Sequence, residues 1–523
     1  MLAHDMHRLR HFGDCLAGML TDGGFAGEFQ SSGQDLRQLA ADWVHTDVRM
    51  LASGVDSEAD IRQACAAAGL SPSFVDAFLS GYDGVSERCA ALSADIGFAH
   101  DPRLTRRVAD VAAAVLLGGK PILCPFTGER ALVRDTIDLH TFLHRFGGRA
   151  CVVLPDWRIS QYASDRSWFF PDANLLLVSI PYFDARAPLI QTAARVMANH
   201  QRVTAYLADP RRSLMVSEDS MSHIGHHIWN VIPGWASLFS LVPPERIDIV
   251  TSYRTWQIFG GVTELYPDQV ARAGSVVRPD SQDAVYDLML ERRATSLVLV
   301  DGYTTAEAAA RVVDWSRRHC NGAFLAELAA FRQAAFPLLM VTIRTENRAW
   351  VGQEDGLACL INELARDYPR LGVIFDGINS GMEQLASHAL MSLADEQAIA
   401  AAIMAACPQV RFHDALGCLP HESIILAEAI DAFLAPIGAG LAKTRWIANK
   451  PGVAFSNQSF LRPGSNDGFL YDRFRDGLVP MRYVDQAEVQ DVEEARHGET
   501  SRANFTMSWH APFRELAALL RAL

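Results

Sequence analysis

Three histidines fall within a five-residue window of the segment Ser222-His223-Ile224-Gly225-His226-His227-Ile228-Trp229-Asn230. A neutral imidazole can take a proton from a hydroxyl or ligate a metal. On an α-helix, steps of three and four residues put His223, His226 and Asn230 on one face and turn His227 roughly 100° away. A metal site would need further ligands at matching spacing, and neither H-E-x-x-H nor H-x-H with a carboxylate partner is present. Two readings remain. The histidines are structural residues of a helix, or His226 is a general base with Asn230 one turn on, beside Trp229 and Pro233. Ser217 or Ser220 would cap such a helix.

A second set of candidates is basic. Arg344 and Arg348 follow the apolar run Leu338 to Ile343, and open α/β sheets place their ligands at strand exits of this kind. Guanidinium groups grip a diphosphate bidentately and stabilise a departing negative charge. The plain alternative is a pair of solvated surface arginines. Asp376-Gly377 also lies at a strand exit, where a turn is the expected role. Glu422, in Gly417-Cys418-Leu419-Pro420-His421-Glu422, would accept hydrogen bonds from ribose hydroxyls or simply favour a helix dipole.

Both sets need a phosphate cradle, and Pro436-Ile437-Gly438-Ala439-Gly440-Leu441 has the composition of one. An apolar strand, Ala432 to Ala435, runs into it, a helix opens near Leu441, and a second strand, Gly452 to Ser456, follows. Glycines allow close backbone approach, and the free N–H groups of a helix start attract phosphate. As a dinucleotide fingerprint the loop is poor. Lys443 stands where a third Gly or Ala belongs, no acidic residue follows about 20 positions on, and the unit comes late in its domain. A nicotinamide oxidoreductase is therefore the weaker reading.

The rest of the chain must position these groups. Its 523 residues exceed one ordinary core, so several domains are expected. Residues 1–112 read as a helical domain, with apolar spacing in Ile61 to Leu70 and Phe74 to Leu79. From Lys120 onward short apolar runs alternate with helical stretches: Ile122 to Pro125, Ala150 to Leu154, Asn174 to Ser179, Val203 to Leu207, Ile247 to Val250 and Ser296 to Val300. A second series is Leu338 to Ile343, Gly372 to Phe375, Val410 to Phe412, Ala432 to Ala435 and Val453 to Phe455. Such alternation implies parallel, helix-covered sheets, here in two α/β domains over 113–330 and 331–505, followed by a C-terminal helix over 506–523.

The formal charge of −14 (47 basic, 61 acidic residues) argues against general nucleic-acid binding. Nine scattered cysteines without a C-x-x-C pair read as reduced, buried thiols of a cytoplasmic protein. No apolar run reaches the roughly 18–20 residues of a membrane span, which leaves peripheral membrane contact and homo-oligomerisation open.

With these residues in view, residues 120–500 resemble glycosyltransferases of the GT-B class, which have two Rossmann-like domains. The segment is most similar to the family-61-like group of capsular polysaccharide and O-linked N-acetylglucosamine transferases. The matching features are Gly225-His226-x-x-Trp229-Asn230, Arg344-x-x-x-Arg348, the Pro436 to Gly440 loop and Lys450-Pro451-Gly452. The resemblance implies a cytoplasmic enzyme of polysaccharide biosynthesis without a cofactor, whose donor substrate is a nucleotide sugar. The donor diphosphate would lie on Arg344, Arg348 and the amides of Gly438, Ala439, Gly440 and Leu441. His226, supported by Asn230, would act as base on a glycan, lipid-linked or protein acceptor. Transfer would be inverting and metal-independent, and no D-x-D triplet is present. A non-catalytic binding protein of the same fold, recruiting a partner through its helical N-terminus, is the alternative from another class.

Overall fold

The computed structural model describes residues 16, 33–81, 106–139, 141–155, 165–179, 186–218, 224–253, 258–300, 302–379, 387–465, 468–492 and 502–523. The fold is mixed α/β with several parallel sheets. The chain forms two compact units, 1–220 with 237–255 and 266–302, and 221–236 with 256–265 and 303–523.

The first unit holds two larger sheets. One is parallel throughout and orders Ser275–Val277, Ile249–Thr251, Ser213–Glu218 and Ala294–Leu299 side by side. The other has six strands, and only its edge pair, Arg49–Ala52 with Leu175–Val178, is parallel. The remaining four pairings run antiparallel from Leu175–Val178 to Asp135–Asp138. The expectation of a parallel sheet across this stretch is therefore corrected. The reason is local: Gly147 and Gly148, at φ +58° and +81°, close a two-residue turn between Thr141–Phe146 and Arg149–Pro155. A turn that short can only join antiparallel strands.

Two further expectations change. Val203 to Leu207 is not a strand but part of the helix His200–Ala208, because Val203, Tyr206 and Leu207 repeat at helical spacing and form its buried face. Residues 33–81 are mainly helical, and Ser57 caps Glu58–Ala67 through Asp60 N at 3.1 Å. They also supply the strand Arg49–Ala52, in register with Leu175–Val178. All seven cysteines among the described residues are free thiols; five are buried, while Cys359 is exposed and Cys418 half-exposed.

The second unit is built on six strands: β1 (Leu338–Thr342), β2 (Gly372–Asp376), β3 (Arg411–Asp414), β4 (Ala432–Pro436), β5 (Gly452–Phe455) and β6 (Met481–Tyr483). They lie in the order 3-2-1-4-5-6, and every pairing is parallel. Each of the five expected strands of this series is present. Helices Gln353–Asp367, Ser387–Ala406 and Pro420–Ala429 connect successive strands, and His510–Leu520 closes the chain. Leu338 to Val341, Val373 to Phe375 and Ala432 to Leu434 are wholly buried, as the central strands of a sheet covered on both faces require. Each large apolar side chain removed from water there contributes about 1.5–3 kcal/mol. The 3-2-1-4 reversal makes β1 and β4 neighbours whose connections leave in opposite directions, the topology in which open α/β sheets form a crevice at the C-terminal ends of their strands.

Candidate functional site

Two loops flank that crevice, 343–349 after β1 and 437–440 after β4. The backbone of Arg344 is fixed first. Gln353 Nε2 donates to Arg344 O (2.7 Å), and Arg344 N donates to Gln353 Oε1 (3.3 Å). The side chain turns inward, with Nε donating to Asn347 O at 2.5 Å. Its Nη1 lies so near Gly438 that a Cβ there would come within 2.3 Å, which accounts for glycine at this position. No carboxylate pairs with the Arg344 guanidinium among the described residues. Burial pushes its pKa below the usual value, the expected response of a cation held partly out of water.

Beside it, the amides of Gly438, Ala439 and Gly440 donate to no other described residue, while the turn is closed by Leu441 N on Gly438 O (3.0 Å) and Ala442 N on Ala439 O (3.1 Å). The Arg344 guanidinium, with no ion-pair partner among the described residues, and these three amides share one strand exit, an arrangement chemically suited to an anion. Arg348 sits in the same loop at φ +62°, with its guanidinium 4.4 Å from the Phe460 ring centroid. Glu422 has a structural role. Its Oε2 accepts from Leu419 N (3.1 Å) and caps the helix Pro420–Ala429.

The loop is held by residues that sequence reasoning assigned elsewhere. Lys443, read as a defect in a glycine fingerprint, places its Nζ 2.6 Å from Asp376 Oδ1, and both side chains are almost fully buried. Asn379 Oδ1 accepts from the same ammonium at 3.3 Å, and Thr342 Oγ1 donates to Asp376 Oδ2 at 3.3 Å. Asp376 at the end of β2 is thus an ion-pair partner rather than a turn residue. The signal was present as a lone acid at a strand exit and a lone lysine after the glycines, but nothing in sequence links positions 67 residues apart. Beneath Asp376, the buried Glu396 accepts from Ile378 N (2.8 Å). Burial, with Asp376 and Glu346 nearby, pushes its pKa up to about 7.

The His226 segment belongs with this second unit. It is not one regular helix. Ile224–His226 is followed by a π-helical turn, His227–Val231, and then by Ile232–Leu241. Such turns are rare and frequently mark functional sites. Asn230 still reaches back, and His226 Nδ1 lies 3.0 Å from Asn230 Oδ1. With the amide oxygen as acceptor, the ring proton sits on Nδ1 and the lone pair on Nε2. His227 points away as expected, is buried with its ring 6.0 Å from Phe259, and burial pushes its pKa down to about 4. Ser217 is no cap; it lies in the strand Ser213–Glu218. Ser220 and His223 lie outside the described residues.

The segment following the glycine loop, Ala442–Ile447, is also π-helical, and the two turns pack together. Trp229 stacks on Trp446 (5.6 Å, 25°), Trp446 on Tyr471 (4.8 Å, 30°), and the His226 ring lies near-parallel to Trp229 (6.2 Å, 25°). Trp446 Nε1 donates to Arg473 O at 3.0 Å. Arg475 Nη1 donates to the carbonyls of Arg445, Trp446 and Ile447 at 3.2, 2.8 and 2.7 Å, neutralising the negative end of the turn. One element therefore carries Lys443, bounds the glycine loop and seats the turn that follows His226.

No protein-family model matches the chain, and no curated protein matches it. Among solved structures, it aligns with a glycosyl transferase family 9 protein from Veillonella parvula at 11% identity and TM-score 0.35, over 60% of this chain and 98% of that one. It aligns with the UDP-GlcNAc 2-epimerase of Methanocaldococcus jannaschii at 11% identity and TM-score 0.25, over 66% and 85%. The UDP-GlcNAc 2-epimerase of Neisseria meningitidis bound to UDP-GlcNAc gives 14% identity and TM-score 0.22, over 55% and 76%. At these scores the functional reading rests on the residues themselves.

Two stability predictions follow from the buried charges. Lys443→Ala leaves the buried Asp376 side chain without its partner, so urea denaturation should show a loss of about 3–5 kcal/mol, largely restored in Lys443→Met combined with Asp376→Leu. A loss below about 1 kcal/mol would contradict a load on this pair. For Glu396, the folded pKa of about 7 lies above its unfolded value near 4.5, so the folded state holds the proton more tightly. The contribution of this group to stability is then fully present below pH 4.5 and is lost as pH rises through 7, by on the order of 3 kcal/mol. Comparing urea midpoints of wild type and Glu396→Gln at pH 5 and pH 8 should show this decline shrinking in the variant; parallel pH profiles would exclude it.

Proposed function

We propose that the protein is a GT-B type glycosyltransferase that moves a sugar from a nucleotide-sugar donor to an acceptor hydroxyl. In this reading the parallel sheets of the two units are the Rossmann-like sheets of that architecture, and the second unit holds the donor. The observation that carries it is the unpaired Arg344 guanidinium against Gly438, at the point where the strand order reverses. A diphosphate satisfies the guanidinium and the amides of Gly438, Ala439 and Gly440 together, with Arg348 further along the same loop. A nicotinamide dinucleotide fits less well. The loop after β1 has no glycine before Gly352, and the acid at the end of β2 is engaged by Lys443.

The chemistry then divides between two groups. His226 Nε2 takes the proton of the acceptor hydroxyl, and Asn230 Oδ1 holds the ring and stabilises the imidazolium. The acceptor oxygen bonds to the anomeric carbon as the bond to the β-phosphate oxygen breaks on the opposite face, which inverts the configuration. The charge that builds on the leaving diphosphate is met by Arg344 and the loop amides, preorganised by Lys443 and Arg475. The acceptor is a glycan, a lipid-linked sugar or a protein, and the donor nucleotide sugar is a substrate rather than a bound cofactor.

The test begins with thermal-shift screening against UDP-, GDP- and dTDP-sugars, where the donor should raise the melting temperature by mass action, and against CMP-sugars, whose single phosphate should not serve. With that donor, His226→Ala should lower transfer by about 10²–10⁴-fold at unchanged donor affinity. Arg344→Ala should weaken donor binding by about tenfold or more and lower transfer as well. Full activity of the His226 variant would remove its role as base, and failure of every nucleotide sugar to bind would favour a non-catalytic protein.

A further inference from the structure

The first unit contains a second concave site, unrelated to the crevice above. The Gly147-Gly148 turn leaves Phe146 exposed at the end of its strand, with 48% of its surface in solvent. On the strand Arg130–Val133, the exposed residues Arg130 and Leu132 alternate with inward ones, and Arg134 continues the exposed row. Leu132, Arg134, His144, Phe146, Arg149 and Pro210 are among the residues lining a cavity of about 480 Å³. That volume falls within the roughly 300–1,000 Å³ of small-ligand pockets.

The walls are fixed and of two kinds. His144 Nε2 lies 3.1 Å from Cys124 Sγ, and the His144 ring is within 25° of parallel to Phe146. Arg149 is anchored by donating to Gly69 O (3.0 Å), with its guanidinium 4.2 Å from the Phe126 centroid. The charges do not cancel. Asp135, which also lines the cavity, is bound by Arg145 (2.7 Å) and Arg212 (2.6 Å), and Asp172 lies 3.7 Å from Arg149. The Arg134 guanidinium has no hydrogen-bond or ion-pair partner among the described residues. An exposed cation with no partner among the described residues thus lines the same cavity as an exposed aromatic ring, on a chain of net charge −14, and is free to engage an anion that enters it.

A free inorganic anion would use the arginine but not the ring, and a bilayer surface would meet an apolar projection rather than a cavity. A pyranose bearing an acidic group uses both walls, with its C–H face on Phe146 and its charge on Arg134. We propose that this cavity binds an anionic saccharide, a pyranose carrying a carboxylate or a phosphate. The site stands independently of the donor reading, because every residue in it belongs to the first unit.

The test is isothermal titration of the full chain with hyaluronan tetrasaccharide (carboxylate), glucose 1-phosphate (phosphate), neutral chitotetraose and inorganic phosphate, plus co-sedimentation with phosphatidylglycerol vesicles. One of the two acidic saccharides should bind at least tenfold more tightly than chitotetraose and inorganic phosphate, and which one does so identifies the acidic group. Arg134→Gln should weaken that binding tenfold or more and Phe146→Ala about fivefold, while Arg344→Ala leaves it unchanged. Both cavity variants alter exposed side chains, and unchanged melting temperatures confirm their fold. The proposal is overturned if neither acidic saccharide binds, if chitotetraose binds equally well, if both cavity variants bind as wild type, if Arg344→Ala removes the binding, or if only vesicles are bound.

Discussion

The second unit depends on one buried ion pair. Lys443 follows the glycine loop after β4, and Asp376 ends β2, two strands away across the 3-2-1-4-5-6 sheet. Burying either charge alone would cost several kcal/mol, so the two must meet, and their meeting fixes where the chain leaves β4. The glycine loop can then lie against Arg344 rather than in any other course between Pro436 and Leu441. Arg344, in contrast, meets no carboxylate among the described residues. The site thus holds one cation neutralised by a buried carboxylate and another that the proposed donor diphosphate would neutralise.

The same short element transmits that constraint further. Ala442–Ile447 carries Lys443 near its start and Trp446 near its end, with Arg475 binding its last carbonyls. Trp446 stacks on Trp229, in the π-turn that begins immediately after His226. Both tryptophans lie in π-helical turns, Trp229 in His227–Val231 and Trp446 in Ala442–Ile447, and their rings stack where the two turns pack. The His226 imidazole and the glycine loop are therefore tied into one packed assembly within a single unit.

Much of this was legible in the sequence, and what was missed shares a cause. The five strands from Leu338 to Phe455 announced themselves as short, wholly apolar runs, the pattern of strands buried on both faces. Arg344 at a strand exit and the Gly438 to Gly440 loop were visible as residue types in the right local setting. The His226–Asn230 pair followed from helical spacing, even though the helix is locally π. Lys443, Asp376, Glu396 and Arg475 were missed because their roles come from pairings across many residues, which no local pattern encodes. The antiparallel sheet of the first unit is a different failure. Gly147-Gly148 was a readable hairpin signal, but alternation of strands with helices elsewhere outweighed it. Val203 to Leu207 was misread because a short apolar run fits either period.

The most direct measurement is a crystal structure of the protein with a nucleoside diphosphate bound. The account predicts both phosphates at the C-terminal ends of β1 and β4, with oxygens within about 3.2 Å of the Arg344 guanidinium and of the amides of Gly438 to Gly440. The Lys443–Asp376 pair should remain intact beneath them. A diphosphate seated elsewhere, or one that draws Lys443 away from Asp376 while Arg344 stays unengaged, would contradict it.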